Sequence, residues 1–384
     1  MSLRKKFLAC AALTSLLVVG VTDANARQQK LDRVILRDMT VITNVKVKSF
    51  DESQVLLSNG MSLGWDKVFQ ASVDGDQQNE FERRVNEIGL PIFRMKARLV
   101  NGDWHGAAEI ANPIVENETR WNNLPPDVLY LAGLAMMNSH LKKGNRDQAV
   151  WAFLIASENQ AAASEEALKI AGTNRLSERE CRLKFSTKIL PYWLDPNLDE
   201  GVAARLTANA NSQLKPALGV VLYLTSMNIE LGKFDTAEEW LDDLDGLGEN
   251  EVQIWKNVLL ARMKQAKGDF AEAKAILESV LSTLATQKLT GIEGPRCVAL
   301  YYYGLTGLNP KGLSDSDRAK AMLSLLRIPA VYGDTNKSLA AAAVFQSAEI
   351  AKLRGRDEDA QKLRAQLLRR YPRTYHGTLK LRDE

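Results

Sequence analysis

A glycine followed five residues later by an alanine occurs in five similar contexts in this chain, and this spacing constrains the fold more than any other feature. The pairs are Gly102 with Ala107, Gly144 with Ala149, Gly232 with Ala237, Gly268 with Ala273, and Gly355 with Ala360. Each pair follows one stretch of helical periodicity and opens another. Glycine adopts the positive φ that ends a helix, and alanine lets a second helix cross the first closely. The pattern therefore predicts helical hairpins joined by tight turns.

The spacing of the five turns predicts how many hairpins the chain contains. Successive turn glycines lie 42, 88, 36 and 87 residues apart. The two long gaps are each close to two short ones, so each is predicted to contain one further hairpin with a degenerate turn. Recurrence at this period indicates an array of stacked hairpins, because each hairpin buries its apolar face only against its neighbours. An irregular helical domain is the alternative interpretation.

The turns resemble those of the tetratricopeptide repeat, a helical hairpin with Gly and an aromatic residue at its turn. An aromatic residue follows the glycine by two positions in three of the pairs: Trp104, Phe234 and Phe270. Pro372 lies twelve residues after Ala360, as in that family, whereas Arg146 and Asp357 replace the aromatic residue. The spacing also exceeds the family's 34 residues. The resemblance implies that residues 76–384 form a tetratricopeptide-like (TPR-like) α-solenoid of helical hairpins.

The same resemblance implies a binding surface on the first helix of each hairpin. Stacked hairpins leave a concave surface that binds peptides or folded proteins. If the family geometry holds, the residues six positions before each turn glycine face it, and these are predicted protein-binding residues: Lys96, Asn138, Ser226, Arg262 and Glu349. A solvated helix face is the alternative for each. The stretch from residue 352 to 384 holds ten Lys/Arg against five Asp/Glu, which suits either an acidic partner or a solvated terminal repeat.

Residues 27–75 differ from the rest and are predicted to form a small all-β module. Alternate positions are occupied by β-branched residues (Val41, Thr43, Val45 and Val47). An Asn-Gly turn follows at Asn59, so the pattern predicts a meander of four or five strands. The module loosely resembles small SH3-like or Sm-like barrels. It is expected to pack on the first helices through Trp65, Val68 and Phe69, either as a cap or as a separate ligand-binding module.

Residues 1–26 have the pattern of a secretory signal peptide. Arg4, Lys5 and Lys6 precede a 15-residue uncharged run, and Ala24-Asn25-Ala26 supplies the small residues that precede cleavage. The run is shorter than the roughly 20 apolar residues of a spanning helix. We therefore expect export to the periplasm or secretion, with no transmembrane segment after cleavage.

Composition and motifs restrict the chemistry that this chain is expected to perform. The mature chain would carry 47 basic and 46 acidic side chains, so bulk charge does not favour nucleic acid. Phosphate-binding, dinucleotide and hydrolase motifs are absent from the sequence, and no histidine or cysteine has metal-ligand spacing. We therefore predict no cofactor, no metal and no catalytic residue. Cys181 and Cys297 are expected to be buried free thiols, although pairing stays open.

These observations favour an exported, non-enzymatic scaffold that binds partner proteins or peptides in the cell envelope, in envelope biogenesis or secretion. The alternative is an envelope solute- or glycan-binding protein that uses the β module. A hydrolase that depends on carboxylates ranks below both hypotheses.

Overall fold

A computed structural model describes residues 32–73, 75–116, 124–186, 188–194, 198, 200–211, 216–244, 250–286, 293–309, 313–334 and 336–379. The predicted signal peptide, residues 1–26, lies outside the described residues. The predicted fold class is confirmed over the described residues: a small all-β region comes first, and the remainder is mainly α-helical.

The β region contains six strands in two antiparallel sheets, one more strand than predicted. They are β1 (Arg33–Leu36), β2 (Val41–Thr43), β3 (Val47–Phe50), β4 (Gln54–Leu57), β5 (Ser62–Gly64) and β6 (Val68–Ala71). One sheet has the order β2-β1-β6 and the other β3-β4-β5. The first and last strands therefore pair, which closes the module on itself more than a simple meander would.

The core of the β module extends past the predicted boundary at residue 75. Trp65 is buried, and its indole N–H donates to the Asp51 carbonyl at 2.9 Å. Its ring lies 5.4 Å from the ring of Phe81, which belongs to the first helix. Val68 is also buried as predicted, but Phe69 is 48% exposed, so its predicted packing role is wrong: it alternates to the outer face of β6.

The helical part consists of long hairpins and a few short helices. Its helices are α1 (Gln78–Arg84), α2 (Leu90–Val100), α3 (Trp104–Glu116), α4 (Pro126–Lys143), α5 (Arg146–Asn159), α6 (Glu165–Ala171), α7 (Glu178–Leu183), α8 (Glu200–Asn211), α9 (Leu218–Glu230), α10 (Phe234–Asp243), α11 (Asn250–Ala266), α12 (Phe270–Thr286), α13 (Glu293–Leu305), α14 (Asp315–Val331), α15 (Lys337–Leu353), α16 (Asp357–Arg370) and α17 (Tyr375–Leu379). A π-helical turn, Val85–Gly89, joins α1 to α2.

All five predicted turns have the same backbone geometry. The turn glycines have φ between +68° and +90°. At each turn the glycine N–H donates to the carbonyl three residues back, and the next N–H donates to the carbonyl five residues before it, as Lys233 does to Asn228 at 2.8 Å. This is the Schellman pattern that closes a helix C-terminus. The five paired alanines are at most 1% exposed. The predicted roles of glycine and alanine are confirmed.

The hairpins pack side by side, and their first helices form a row. Helix α9 contacts α11, α11 contacts α13, and α13 contacts α15, while each also contacts its own second helix. The second long gap contains the predicted extra hairpin, α13 with α14. No glycine in the described part of this turn has a positive φ, but close packing persists, since a Cβ on Gly304 would lie 2.2 Å from Leu325 Cγ.

The first long gap is different from the prediction. It contains the short helices α6 and α7, then the non-helical residues 184–186 and 188–194, and then α8. Of these, α8 packs on α5 and α9 and so continues the array. A prolyl ring removes a helix donor, and the apolar run around Pro191 has no helical periodicity. This gap therefore holds a partial unit in place of a complete hairpin.

Candidate protein-binding site

One face of the helix row, which we call the inner face, carries Tyr223, Ser226 and Trp255. It is covered by residues 184–186 and 188–194 of the same chain, which we call the crossing segment. The rings of Tyr223 on α9 and Trp255 on α11 contact Phe185 of the segment, at centroid distances of 6.0 and 5.7 Å. The Tyr223 hydroxyl donates to the Ile189 carbonyl at 2.7 Å. Burial raises the pKa of Tyr223, so this phenol keeps the proton that it donates.

Further along, the crossing segment joins an early helix of the array to a late one. The guanidinium of Arg146, at the start of α5, donates to the Leu190 carbonyl at 2.7 Å and lies 4.1 Å from the ring centroid of Tyr192. Tyr192 is fully buried, and its hydroxyl donates to Asn336 Oδ1 at 2.5 Å. Asn336 is the N-cap of α15. The start of α5 and the start of α15 are therefore linked through one buried side chain.

The structure places the predicted binding residues on the first helices, as expected, but each of them is used inside the molecule. Ser226 is 2% exposed, and its hydroxyl donates to the Pro191 carbonyl of the crossing segment at 2.9 Å. Ser226 does face the inner side of the row, yet the crossing segment occupies the place of a partner. The Asn138 amide, half-buried, donates to the Leu134 carbonyl of its own helix at 2.8 Å.

The three charged members of the predicted set each have an internal ion pair. Lys96 binds Asp66 of the β module at 2.7 Å, and both side chains are nearly buried. Arg262 makes a bidentate bond to Glu230 on α9, with both distances 2.7 Å. Burial acts to lower the pKa of Arg262, but the bond to Glu230 outweighs it and raises that pKa overall. Glu349 accepts from Arg364 at 2.8 Å. Their predicted partner contacts therefore compete with existing internal bonds.

A separate open cleft lies between an early hairpin, α4 with α5, and the last part of the array, and we call it the basic cleft. Its volume is about 790 Å³, and its walls are residues 141–148, Trp193, Leu194, Leu198, Lys337, Ser338, 373–376 and Thr378. One wall is the turn between α4 and α5, and the opposite wall is the start of α15 together with the residues around α17. The crossing segment supplies the floor through Trp193 and Leu194.

The charge of the basic cleft is strongly one-sided among the residues that the structure describes. Its basic side chains are Lys142, Lys143, Arg146, Lys337 and Arg373. Asp147 is the single carboxylate on the described walls. The four side chains other than Arg146 are exposed and have no ion-pair partner in the described part of the chain. Like charges gathered on one surface repel each other, so this arrangement favours an anionic ligand.

The described residues offer other sites less support. They contain no group of three or more side chains suited to a metal ion. None of the described helices combines the length and the apolar character that crossing a bilayer requires. Cys181 and Cys297 are free thiols; Cys297 is buried as predicted, whereas Cys181 is only partly buried. Burial raises the pKa of Cys297 to about 12, which keeps it protonated and unreactive.

Sequence reasoning missed the crossing segment and the basic cleft. The available signals were an apolar, Pro-containing run at residues 189–194 inside the first long gap, and a pair of lysines immediately before a turn glycine. No protein-family model, no curated protein and no solved structure matches this chain. The functional argument therefore depends on the geometry of the molecule itself.

Proposed function

We propose that the protein is an exported, non-enzymatic scaffold that recruits partner proteins through its array of tetratricopeptide-like hairpins. The repeated turn geometry, the aromatic residues two positions after the turn glycines and the row of first helices support the likeness to that repeat. The pattern of residues 1–26 supports export. Envelope biogenesis and secretion are the processes in which we place the scaffold.

The observation that carries this proposal is the basic cleft. It is formed by parts of the chain that are far apart in sequence, residues 141–148 and 337–378. Its exposed basic side chains make no ion pair with the described residues, so they do not stabilise the fold by pairing. Retaining them at one place costs stability, and an oppositely charged partner would offset that cost.

The β module serves in this proposal as a cap on the array. Its likeness to SH3-like barrels is supported by the pairing of β1 with β6 and by a 3₁₀ turn, Trp65–Lys67, immediately before β6. The Asp66–Lys96 ion pair and the bond from Arg37 Nη2 to the Val85 carbonyl, 3.1 Å long, hold it on the helices. Both anchors occupy its helix-facing side.

Affinity capture with the full mature chain tests the scaffold function. Truncation is unsuitable, because a cut near residue 75 would remove Phe81 from the core of the β module. The bait is compared with a cleft variant, Lys337→Glu with Arg373→Glu, and with a matched control, Lys320→Glu with Arg327→Glu. Lys320 and Arg327 are also exposed and line another groove, of about 640 Å³, on α14.

The proposal expects one or more envelope proteins to be retained by the wild type and by the control variant and to be lost with the cleft variant. Equal retention by all three baits would remove the cleft as the binding surface. Retention of no protein above a bait-free resin would overturn the scaffold function itself.

A further inference from the structure

We infer that the basic cleft binds an acidic peptide segment of the partner, with carboxylates held between the starts of α5 and α15. This inference rests on the proposed scaffold function and adds the chemistry of the ligand. It follows from the charge, the helix ends, the volume and the apolar floor of the cleft.

The charges of the cleft select an anionic ligand, and their placement selects an extended one. Lys142 and Lys143 lie on one wall, whereas Lys337 and Arg373 lie on the other. Charged groups interact strongly only within about 8–10 Å at physiological ionic strength. Positive side chains contributed by two separate parts of the chain are best matched by a ligand that carries several negative charges, as a run of Asp and Glu residues does.

Two helix N-termini reinforce the same preference. The first residues of α5 (Arg146) and of α15 (Lys337) both line the cleft, and the N-terminus of a helix carries partial positive charge that favours carboxylates. The Asn145 side chain does not cap α5, so this end is the more available of the two; at the start of α15 the Asn336 side chain already accepts from the Leu339 N–H. Because the Tyr192–Asn336 bond fixes the start of α15 relative to the floor, these helix ends are positioned before any ligand binds.

The floor of the cleft favours a peptide over a small ion. A volume of about 790 Å³ accommodates several side chains, and Trp193, Leu194 and Leu198 provide apolar contacts beside the charged walls. Trp193 is 8% exposed, and its indole N–H has no acceptor among the described residues. The indole nitrogen itself is buried, so a bound peptide would contact the exposed part of this ring and the two leucines, and these are apolar contacts.

The inner face of the helix row is not a competing site for this peptide. Residues 184–194 fill it with buried side chains, including Phe185 and Ile189, and with hydrogen bonds to Tyr223 and Ser226. A ligand at the inner face would have to displace these contacts, whereas the described walls of the basic cleft border an open volume of about 790 Å³.

Fluorescence anisotropy with defined peptides tests the inference on the full mature chain. The probe is a fluorescein-labelled peptide of alternating Glu and Leu residues, and its controls have Gln or Lys in place of Glu. We expect the Glu peptide to bind with an affinity that falls as the salt concentration rises. The Gln and Lys peptides should bind at least about tenfold more weakly. The variant Lys337→Gln with Arg373→Gln should lower the affinity for the Glu peptide by about tenfold or more. The control variant Lys320→Gln with Arg327→Gln should leave that affinity unchanged.

Three results would overturn the inference. They are equal binding of the Glu and Gln peptides, no effect of the cleft variant, or tighter cleft-dependent binding of an anionic polysaccharide such as polygalacturonate. Circular dichroism of each variant checks that the fold persists. If the Glu peptide does not bind while proteins are still captured through the cleft, the inferred ligand chemistry is wrong and the scaffold function is retained. If neither the peptide nor any protein binds, the scaffold function is also wrong.

Discussion

The turn glycine at position 232 provides a direct test of how the hairpins are built. Its φ is +72°, and a Cβ added there would have no atom within 4 Å. Replacing it with alanine therefore introduces no clash, and the cost is the left-handed backbone conformation alone, about 1–2 kcal/mol. Asparagine tolerates this conformation better than alanine, so the order of stability should be Gly, then Asn, then Ala.

Amide hydrogen exchange is the suitable measurement, because hairpins in an array open separately. A loss of about 1 kcal/mol corresponds to a roughly fivefold rise in the local opening equilibrium. We expect Gly232→Ala to produce this rise in the amides of α9 and α10, while the amides of α16 keep their protection. Gly232→Asn should produce a smaller rise. Unchanged exchange in the alanine variant, or equal effects of Ala and Asn, would refute the explanation from φ.

Three further predictions follow from packing, ion pairing and burial. Gly133→Ala should lower the free energy of unfolding by about 1–3 kcal/mol in chemical denaturation, because the new Cβ would lie 2.7 Å from the Ala152 carbonyl oxygen and the Ala156 nitrogen. Helix propensity alone predicts a gain in stability, and such a gain would contradict the close crossing of α4 and α5. Lys96→Glu should weaken the contact between the β module and α2, because it places two carboxylates together. Limited proteolysis should then show faster cleavage near residues 72–77, and adding Asp66→Lys to the same chain should restore resistance to the protease. Burial and Lys143 lower the pKa of His140, so the unfolded chain takes up a proton more readily than the folded one. Stability should therefore fall as pH drops below about 6.5. His140→Gln should make the decrease in Tm between pH 7 and pH 5 smaller, and an identical decrease would exclude His140 as its source.

The sequence predicted those parts of the fold that local geometry determines. A positive φ and a close helix crossing each depend on a few neighbouring residues, so Gly268 and Ala273 reveal their hairpin without knowledge of the rest. The extra hairpin in the second long gap was also predictable, because it restores the spacing of the array. Strand alternation similarly indicated the β module, although pairing between β1 and β6 depends on residues far apart.

The candidate site could not be predicted in the same way. The basic cleft depends on the Tyr192–Asn336 bond and the Arg146–Leu190 bond, which join distant parts of the chain and leave no periodic pattern. The resemblance to a repeat family instead directed attention to the inner face, where Ser226 turns out to bind the crossing segment. A repeat pattern describes contacts between neighbouring units, and this molecule adds contacts between units that are not neighbours.

The bond between Tyr192 and Asn336 has a consequence for mechanics. A chain of stacked hairpins bends at every interface, since each unit touches only the next, and its two ends drift relative to each other. Here buried Tyr192 links the start of α5 to the start of α15, so the part of the array between these helices resists extension and the two helix starts keep a constant separation. A partner that contacts both helix starts meets a rigid surface. Its binding therefore costs less conformational entropy than binding to a freely bending array would.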